Sequence, residues 1–203
     1  MLEAVNLGCT RGERRLFSGL NFSLAAGNFL QAFGPNGSGK TSLLRIICGL
    51  TAPAAGEVRW DGTNISRLGE EYFGAIAYVA HQNGVKDELN PIENLRISSG
   101  VAGHALSQEE AQVFLERVGL SKQQHLPARL LSAGQRRRLA LSRLLASRAR
   151  LWVLDEPLAS LDDHGATLAR KLISEHLSND GMAIIATHQE MGLSAGQMQR
   201  IEL

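Results

Sequence analysis

Gly34-Pro35-Asn36-Gly37-Ser38-Gly39-Lys40-Thr41 sets three glycines, a lysine and a threonine within eight residues. The spacing satisfies G-x-x-x-x-G-K-[S/T] in full, and each position has a physical reason. Gly34, Gly37 and Gly39 permit backbone angles that a side chain blocks, so the loop can turn its N–H groups inward around phosphate oxygens. A helix opening near Lys40 adds the positive end of its dipole. Lys40 supplies a point charge for the outer phosphates, and the Thr41 hydroxyl can ligate Mg²⁺. Asn36 and Ser38 complete the expected set of nucleotide contacts. The loop implies a nucleoside triphosphate without choosing among kinase, GTPase and ATPase.

Leu151-Trp152-Val153-Leu154-Asp155-Glu156 is an apolar run ending in two acids. An acid at the carboxyl end of a central parallel strand faces the ligand crevice. Asp155 is placed to hold Mg²⁺ through its water shell. Glu156 is placed to accept a proton from the attacking water, or to orient it. His188 follows the apolar run 182–186, and it reaches the γ-phosphate if that strand lies beside the one feeding the loop. Gln82, at another strand end, can ligate Mg²⁺ or the attacking water. Read alone, His188 is an ordinary surface histidine and Gln82 a polar turn residue. Leu131-Ser132-Ala133-Gly134-Gln135 opens a helix with free N–H groups suited to an anion, although a plain capping box has the same spacing.

Strands and helices must carry these groups. Phe29–Phe33, Leu151–Leu154, Met182–Ala186 and Ala75–Ala80 read as buried strands, short and bounded by turn residues. Leu2–Leu7, Leu20–Leu24 and Gly56–Trp60 read as an N-terminal antiparallel portion. Helices are expected over Lys40–Leu50, Ser107–Gly119, Ser132–Ser147 and Leu161–Leu177, the last with Leu161, Leu168 and Leu172 on one side. Ser107 and Glu110 have capping-box spacing. Strand–helix alternation implies a parallel sheet with right-handed crossovers. The stretch from Gln82 to Pro127 shows helices and no good strand, as a helical insertion would. The fold class is α/β, with a mainly parallel sheet.

Composition bounds the partners. The chain has 203 residues and a formal net charge of +1, 44% of it hydrophobic and 20% charged. That is enough chain for one domain with a buried core. Near-neutrality gives no electrostatic reason to expect nucleic acid. Arg136-Arg137-Arg138 reads as a solvated helix face rather than a nucleic-acid patch. No apolar run approaches the roughly 18–20 residues that cross a bilayer, and the N-terminus does not read as a signal peptide. Cys9 and Cys48 form no paired motif, which suits a reducing cytosol.

Taken in order, these motifs resemble those of ATP-binding cassette proteins, over nearly the whole chain. Leu131–Gln135 is similar to the family's signature, usually Leu-Ser-Gly-Gly-Gln. The Walker A loop falls at 34–41, a Q-loop at Gln82, the Walker B strand at 151–155 with Glu156 after it, a D-loop at Ala159-Ser160-Leu161-Asp162, and the switch histidine at His188. The resemblance implies a P-loop NTPase core spanning 1–203, with a helical subdomain at about 83–135 inserted in a RecA-like fold. It implies two cassettes packed head to tail around two ATP molecules. Each ATP would lie between one subunit's Walker A loop and the other's Ser132, Gly134 and Gln135, with Asp162 coupling the two sites. It further implies integral membrane subunits docking near the Q-loop, and a peripheral place on the cytoplasmic side of the inner membrane.

Two departures stand out. The family's adenine-stacking aromatic is missing, and Gly8-Cys9-Thr10-Arg11 stands there instead. Arg11 can stack its planar guanidinium on the base. Ala133 replaces the glycine at the third signature position, a mild change if its backbone angles are those of a normal helix start. A narrower resemblance, carried by 131–144, 151–157, Thr187-His188-Gln189 and Arg14–Leu20, is to the ATP-binding subunit of the bacterial haem exporter of cytochrome c biogenesis. A transporter ATPase for another substrate, and a soluble cassette acting on DNA or ribosomes, are the competing readings. The latter tend to carry coiled-coil insertions, a tandem cassette or basic tails, none of which this chain has.

Overall fold

The computed structural model describes residues Met1–Leu203. The chain runs β1 (Leu2–Arg11), β2 (Arg14–Leu24), β3 (Phe29–Phe33), α1 (Lys40–Ile47), β4 (Ala55–Trp60), β5 (Thr63–Asn64), α2 (Glu70–Ala75) and β6 (Ile76–Val79). It continues through α3 (Pro91–Val101), α4 (Gln108–Arg117), α5 (Ala133–Ala146), β7 (Leu151–Asp155), α6 (Asp163–Ser178), β8 (Met182–Ala186) and β9 (Met198–Glu202). One sheet, of order β2-β1-β4-β5, is antiparallel. The other, of order β6-β7-β8-β3-β9, is parallel throughout.

Period-two alternation on the parallel strands divides the core between two faces. Leu30 and Ala32 of β3, Leu151 and Val153 of β7, and Met182 and Ile184 of β8 point to one side. There they meet α1 through Leu43, Leu44, Ile46 and Ile47, and the antiparallel sheet through Leu2, Leu7 and Val58. Trp152 and Leu154 with Ala183 and Ile185 point to the other side, against Leu141 and Leu144 of α5 and Ile173 and Leu177 of α6. Because both faces are covered, these strands read as apolar runs, interrupted in β3 by the buried Gln31.

A third apolar cluster joins Ile92 and Leu95 of α3 to Ala111 and Leu115 of α4. It continues into Leu139 and Ala146 of α5 and Leu172 of α6. Helix α3 opens on an Asn90/Glu93 capping box with Pro91 at its start, and α4 on the Ser107/Glu110 box.

The elements depart from the sequence reading in several places. Helix α1 ends at Ile47 rather than Leu50, because Gly49 takes φ +68°. Helix α6 starts at Asp163, since the Asp162 carboxylate caps it by accepting the Gly165 N–H at 2.8 Å. Leu161 therefore precedes the helix and packs on the sheet-side cluster, whereas Leu168 and Leu172 turn to the helical one. Those leucines do not share a side. Strand β9, beside β3 at the sheet edge, was not expected. Its residues are mostly exposed and polar, so it lacks the apolar run that marks its neighbours.

Candidate functional site

The loop after β3 is built by its glycines. Gly34 sits at φ +155° and Gly39 at φ +116°. A Cβ on Gly39 would stand 3.2 Å from Leu16 Cβ and from the Phe17 ring, so the loop can lie against β2 only without one. Gly39 precedes α1, and the helix's unpaired N–H groups open toward the loop. Lys40 is 7% exposed, and its ammonium donates to the Gly34 carbonyl at 2.6 Å and the Pro35 carbonyl at 3.1 Å. The cation thus lies across the loop rather than in bulk water. The Ser38 hydroxyl is buried without a hydrogen-bond partner, an unmet polar group of the kind a bound anion's surroundings satisfy.

A cleft of about 360 Å³ opens above the loop. Asn36, Gly37, Gly39, Lys40, Thr41 and Ser42 line it on one side, Asp155, Glu156 and His81 on another, and Arg11, Arg14 and Leu16 at the rim. Leu16 is its one hydrophobic residue. The cleft is therefore polar and mainly cationic at its mouth, which suits a polyanion.

Strand order brings the acids to the loop. β8 lies between β3 and β7, with Ala186 level with Ala32 on one side and Asp155 on the other. The carboxyl ends of all three strands thus meet at one edge. Asp155 is 2% exposed, and its Oδ2 accepts the Thr41 hydroxyl at 2.8 Å. One hydroxyl and one carboxylate are the few hard oxygen donors that Mg²⁺ takes from protein, the rest of its octahedron coming from phosphate and water. The donor set fits that ion.

Glu156 occupies the left-handed region at φ +49°, unusual for a residue with a side chain. Its N–H donates to the Ala186 carbonyl at 2.8 Å, one step beyond the β7–β8 ladder. Its carboxylate accepts the Thr187 hydroxyl at 3.0 Å and lies 3.1 Å from His188 Nδ1. The Glu156 side chain is 16% exposed, and that of His188 is 59% exposed. A carboxylate so held is oriented by two neighbours yet keeps an open side, as a group that accepts a proton from water requires.

Other expected residues lie apart from this cleft. Gln82 is exposed and makes no hydrogen bond, and the adjacent His81 lines the cleft instead. Ser132, Gly134, Gln135 and Asp162 do not line it. Ser132 caps α5: its hydroxyl accepts the Gln135 N–H, and the Gln135 side chain accepts the Ser132 N–H. Ala133 is the first residue of α5 with no positive φ, so the methyl that replaces the signature glycine is tolerated. Gly134 faces the Ser160 carbonyl oxygen, which a Cβ there would approach to 2.8 Å.

Sequence reasoning missed several participants. Ser42, Arg14 and Thr187 were each adjacent to, or paired with, a residue it found: Thr41, Arg11 and His188. The arginine run needs correction. Arg136 pairs with Asp87 at 2.6 Å, but Arg137 is 2% exposed and is no part of a solvated face. Its side chain turns inward from α5 to the backbone after β7.

Residues 17–159 match the family model described as ABC transporter. The chain is 52% identical to the cytochrome c biogenesis ATP-binding export protein CcmA of Nitrosospira multiformis, across 100% of this chain and 98% of that protein. It is 48% identical to the CcmA of Nitrosomonas europaea, across 100% of this chain and 95% of that one. Among solved structures, it is similar to a putative ABC transporter ATP-binding protein from Pyrococcus furiosus, with TM-score 0.85 at 25% identity, over 98% of this chain and 96% of that one. It also shares the fold of the ATP-binding cassette MJ0796, solved as a dimer in a post-hydrolysis state bound to ADP and Pi. There the TM-score is 0.82 at 24% identity, over 93% of this chain and 88% of that one. With the family model matched through both the glycine loop and the acidic strand end, the chain belongs to the ABC transporter family, as one of its ATP-binding cassettes.

Proposed function

We propose that the chain is the ATP-hydrolysing subunit of an export complex in cytochrome c biogenesis, one that handles haem. The observation that carries the chemistry is the juxtaposition of two polar pairs at one cleft: Thr41 with Asp155, and Glu156 with Thr187 and His188. Gly34–Thr41 hold the phosphates, with Lys40 moving its ammonium from loop carbonyls to the stronger charge-assisted bonds of phosphate oxygens. Thr41 and Asp155 would hold Mg²⁺, which when bound would supply positive charge to the outer phosphates. Glu156 takes the proton of the attacking water, and His188 steadies its carboxylate. Arg11 and Arg14 flank the base.

Ser132, Gly134 and Gln135 serve the ATP of a second copy, and Asp162 sits at that dimer interface while capping α6. Gln82 and the helical subdomain at about 83–135 face the membrane subunits. The chain itself has no helix long and apolar enough to cross a membrane. Its place in this reading is that of a peripheral subunit, bound to the membrane subunits on the cytoplasmic side of the inner membrane. Identity of 48–52% to export proteins of cytochrome c biogenesis, over essentially full length, supports this assignment. A formal net charge of +1 gives no electrostatic reason to place nucleic acid among its partners.

Glu156→Gln tests the chemistry. ATP affinity should be retained while hydrolysis slows by orders of magnitude, on the order of 10²–10⁴ for a lost general base, and an ATP-bound dimer should accumulate. Unchanged turnover removes Glu156 from this role. Copurification with membrane subunits of the cytochrome c pathway tests the assignment to that complex, and their absence from the native complex would refute it.

A further inference from the structure

Arg137 is buried in α5, yet no carboxylate lies within ion-pair distance of its guanidinium. Such burial is costly unless every donor is met. All five donors of a guanidinium are met here. Nη2 donates to the carbonyls of Asp155 at 2.6 Å and Glu156 at 2.7 Å, and Nε to that of Pro157 at 3.3 Å. Nη1 donates to the Ala80 carbonyl and to Asn83 Oδ1, both at 2.9 Å.

These acceptors are not scattered. Asp155, Glu156 and Pro157 are consecutive and form the turn that presents the Glu156 carboxylate. Ala80 and Asn83 bracket His81 and Gln82, of which His81 lines the ATP cleft. The same helix begins at Ser132. Glu156 holds a strained backbone, φ +49°, and such conformations persist only where the surroundings over-determine them. Arg137 grips the carbonyl side of that residue, and Thr187 and His188 hold its side chain. Burial holds the guanidinium pKa below its ordinary value, offset only in part by the nearby charges of Asp155 and Glu156 and deepened by that of Arg143.

We propose that Arg137 is a positioning residue for hydrolysis, locking the Glu156 turn and the His81–Gln82 loop into one register with the helix that carries Ser132. Seating that helix against a partner's nucleotide then sets Glu156 and the loop together. The inference rests on the role of Glu156 proposed above.

The test uses the full chain copurified with its membrane subunits, in four forms: unaltered, Arg137→Met, Glu156→Gln, and the double variant. Binding of a fluorescent ATP analogue, KM, and single-turnover hydrolysis are read for each. Arg137→Met should leave the dissociation constant and KM within about twofold and lower the hydrolysis rate about 10–100-fold, the scale of a small misplacement of a reacting group. In the Glu156→Gln background it should lower the rate no further, because both changes remove the same function. Arg137→Lys, which keeps the charge but supplies fewer donors, should lie between, and it carries the same comparison if the methionine variant does not fold. Multiplying effects in the double variant, or a loss of nucleotide affinity as large as the loss of rate, would overturn the inference. A Glu156→Gln variant of unchanged rate would instead overturn the functional reading beneath it.

Discussion

Arg11 and Arg14 face each other across the β1–β2 hairpin, and both reach the cleft. Like charges directly opposite on a sheet repel, so the pair is stabilised when an anion or a π-face lies between or above it. Neither side chain makes a hydrogen bond or ion pair within the chain. Each guanidinium is thus available to a base or phosphate, and Arg11 stands in the segment where the family resemblance leads one to expect an aromatic ring. Arg11→Ala and Arg14→Ala should each weaken ATP binding by about 0.5–1 kcal/mol, the worth of an exposed cation–π contact, and leave the rate at saturating ATP unchanged. Equilibrium titration with a fluorescent nucleotide measures this. Unaltered affinity in both variants would leave the base without a protein platform. Arg11 was legible in the sequence by its offset from Lys40. Arg14 was not, because only the hairpin register sets it opposite Arg11.

At the scale of elements, α6 is tied to the sheet by His176. Its ring stacks on Trp152 of β7 at 3.9 Å and 5°, and its Nε2–H donates to the Met182 carbonyl of β8 at 3.1 Å. Gly181 makes room for it, since a Cβ there would fall 2.4 Å from the ring. Burial lowers the His176 pKa, against weaker upward pulls from hydrogen bonds to the Met182 and Arg150 backbones. The sign follows from linkage. As pH falls, the unfolded chain takes up the proton first, at an ordinary histidine pKa of about 6.5, so unfolding is favoured. The contribution is intact above that pH and is lost as pH falls through the window just below it. Urea midpoints from pH 8 to pH 5 should therefore drop more steeply for the unaltered chain than for His176→Phe. Equal slopes would refute this. The stack was invisible in the sequence, where His176 is one polar residue on an amphipathic helix. Helices α4 and α5 were legible because Ser107/Glu110 and Ser132/Gln135 are local capping boxes that need no tertiary contact.

Across the whole molecule, the residues expected to bind nucleotide fall into two groups. Those of the glycine loop and the two acids share one cleft. Ser132, Gly134 and Gln135 lie outside it, with Ser132 exposed. On the proposed reading one chain carries two separate half-sites, and a head-to-tail pair would join each loop to the other's Ser132. Ser132→Arg, placed in the Glu156→Gln background, should bind ATP with unchanged affinity yet fail to dimerise. Sedimentation with and without ATP reads it. A persisting ATP-dependent dimer would rule out the composite site.

The sequence by itself determined the glycine loop, the acidic strand end and the capping boxes of α4 and α5, because each is fixed by contacts within a few residues or by backbone angles that only glycine adopts freely. It also determined the buried parallel strands, since a sheet covered on both faces demands apolar runs. Tertiary structure decided what depends on strand order. The adjacency of β8 to both β3 and β7 sets His188 and Thr187 on Glu156, and Thr41 on Asp155. It decided, too, that one arginine of a three-residue run is internal. Helical rotation turns Arg137 toward the β7 end while Arg136 and Arg138 bond elsewhere, and no local pattern distinguishes three identical side chains.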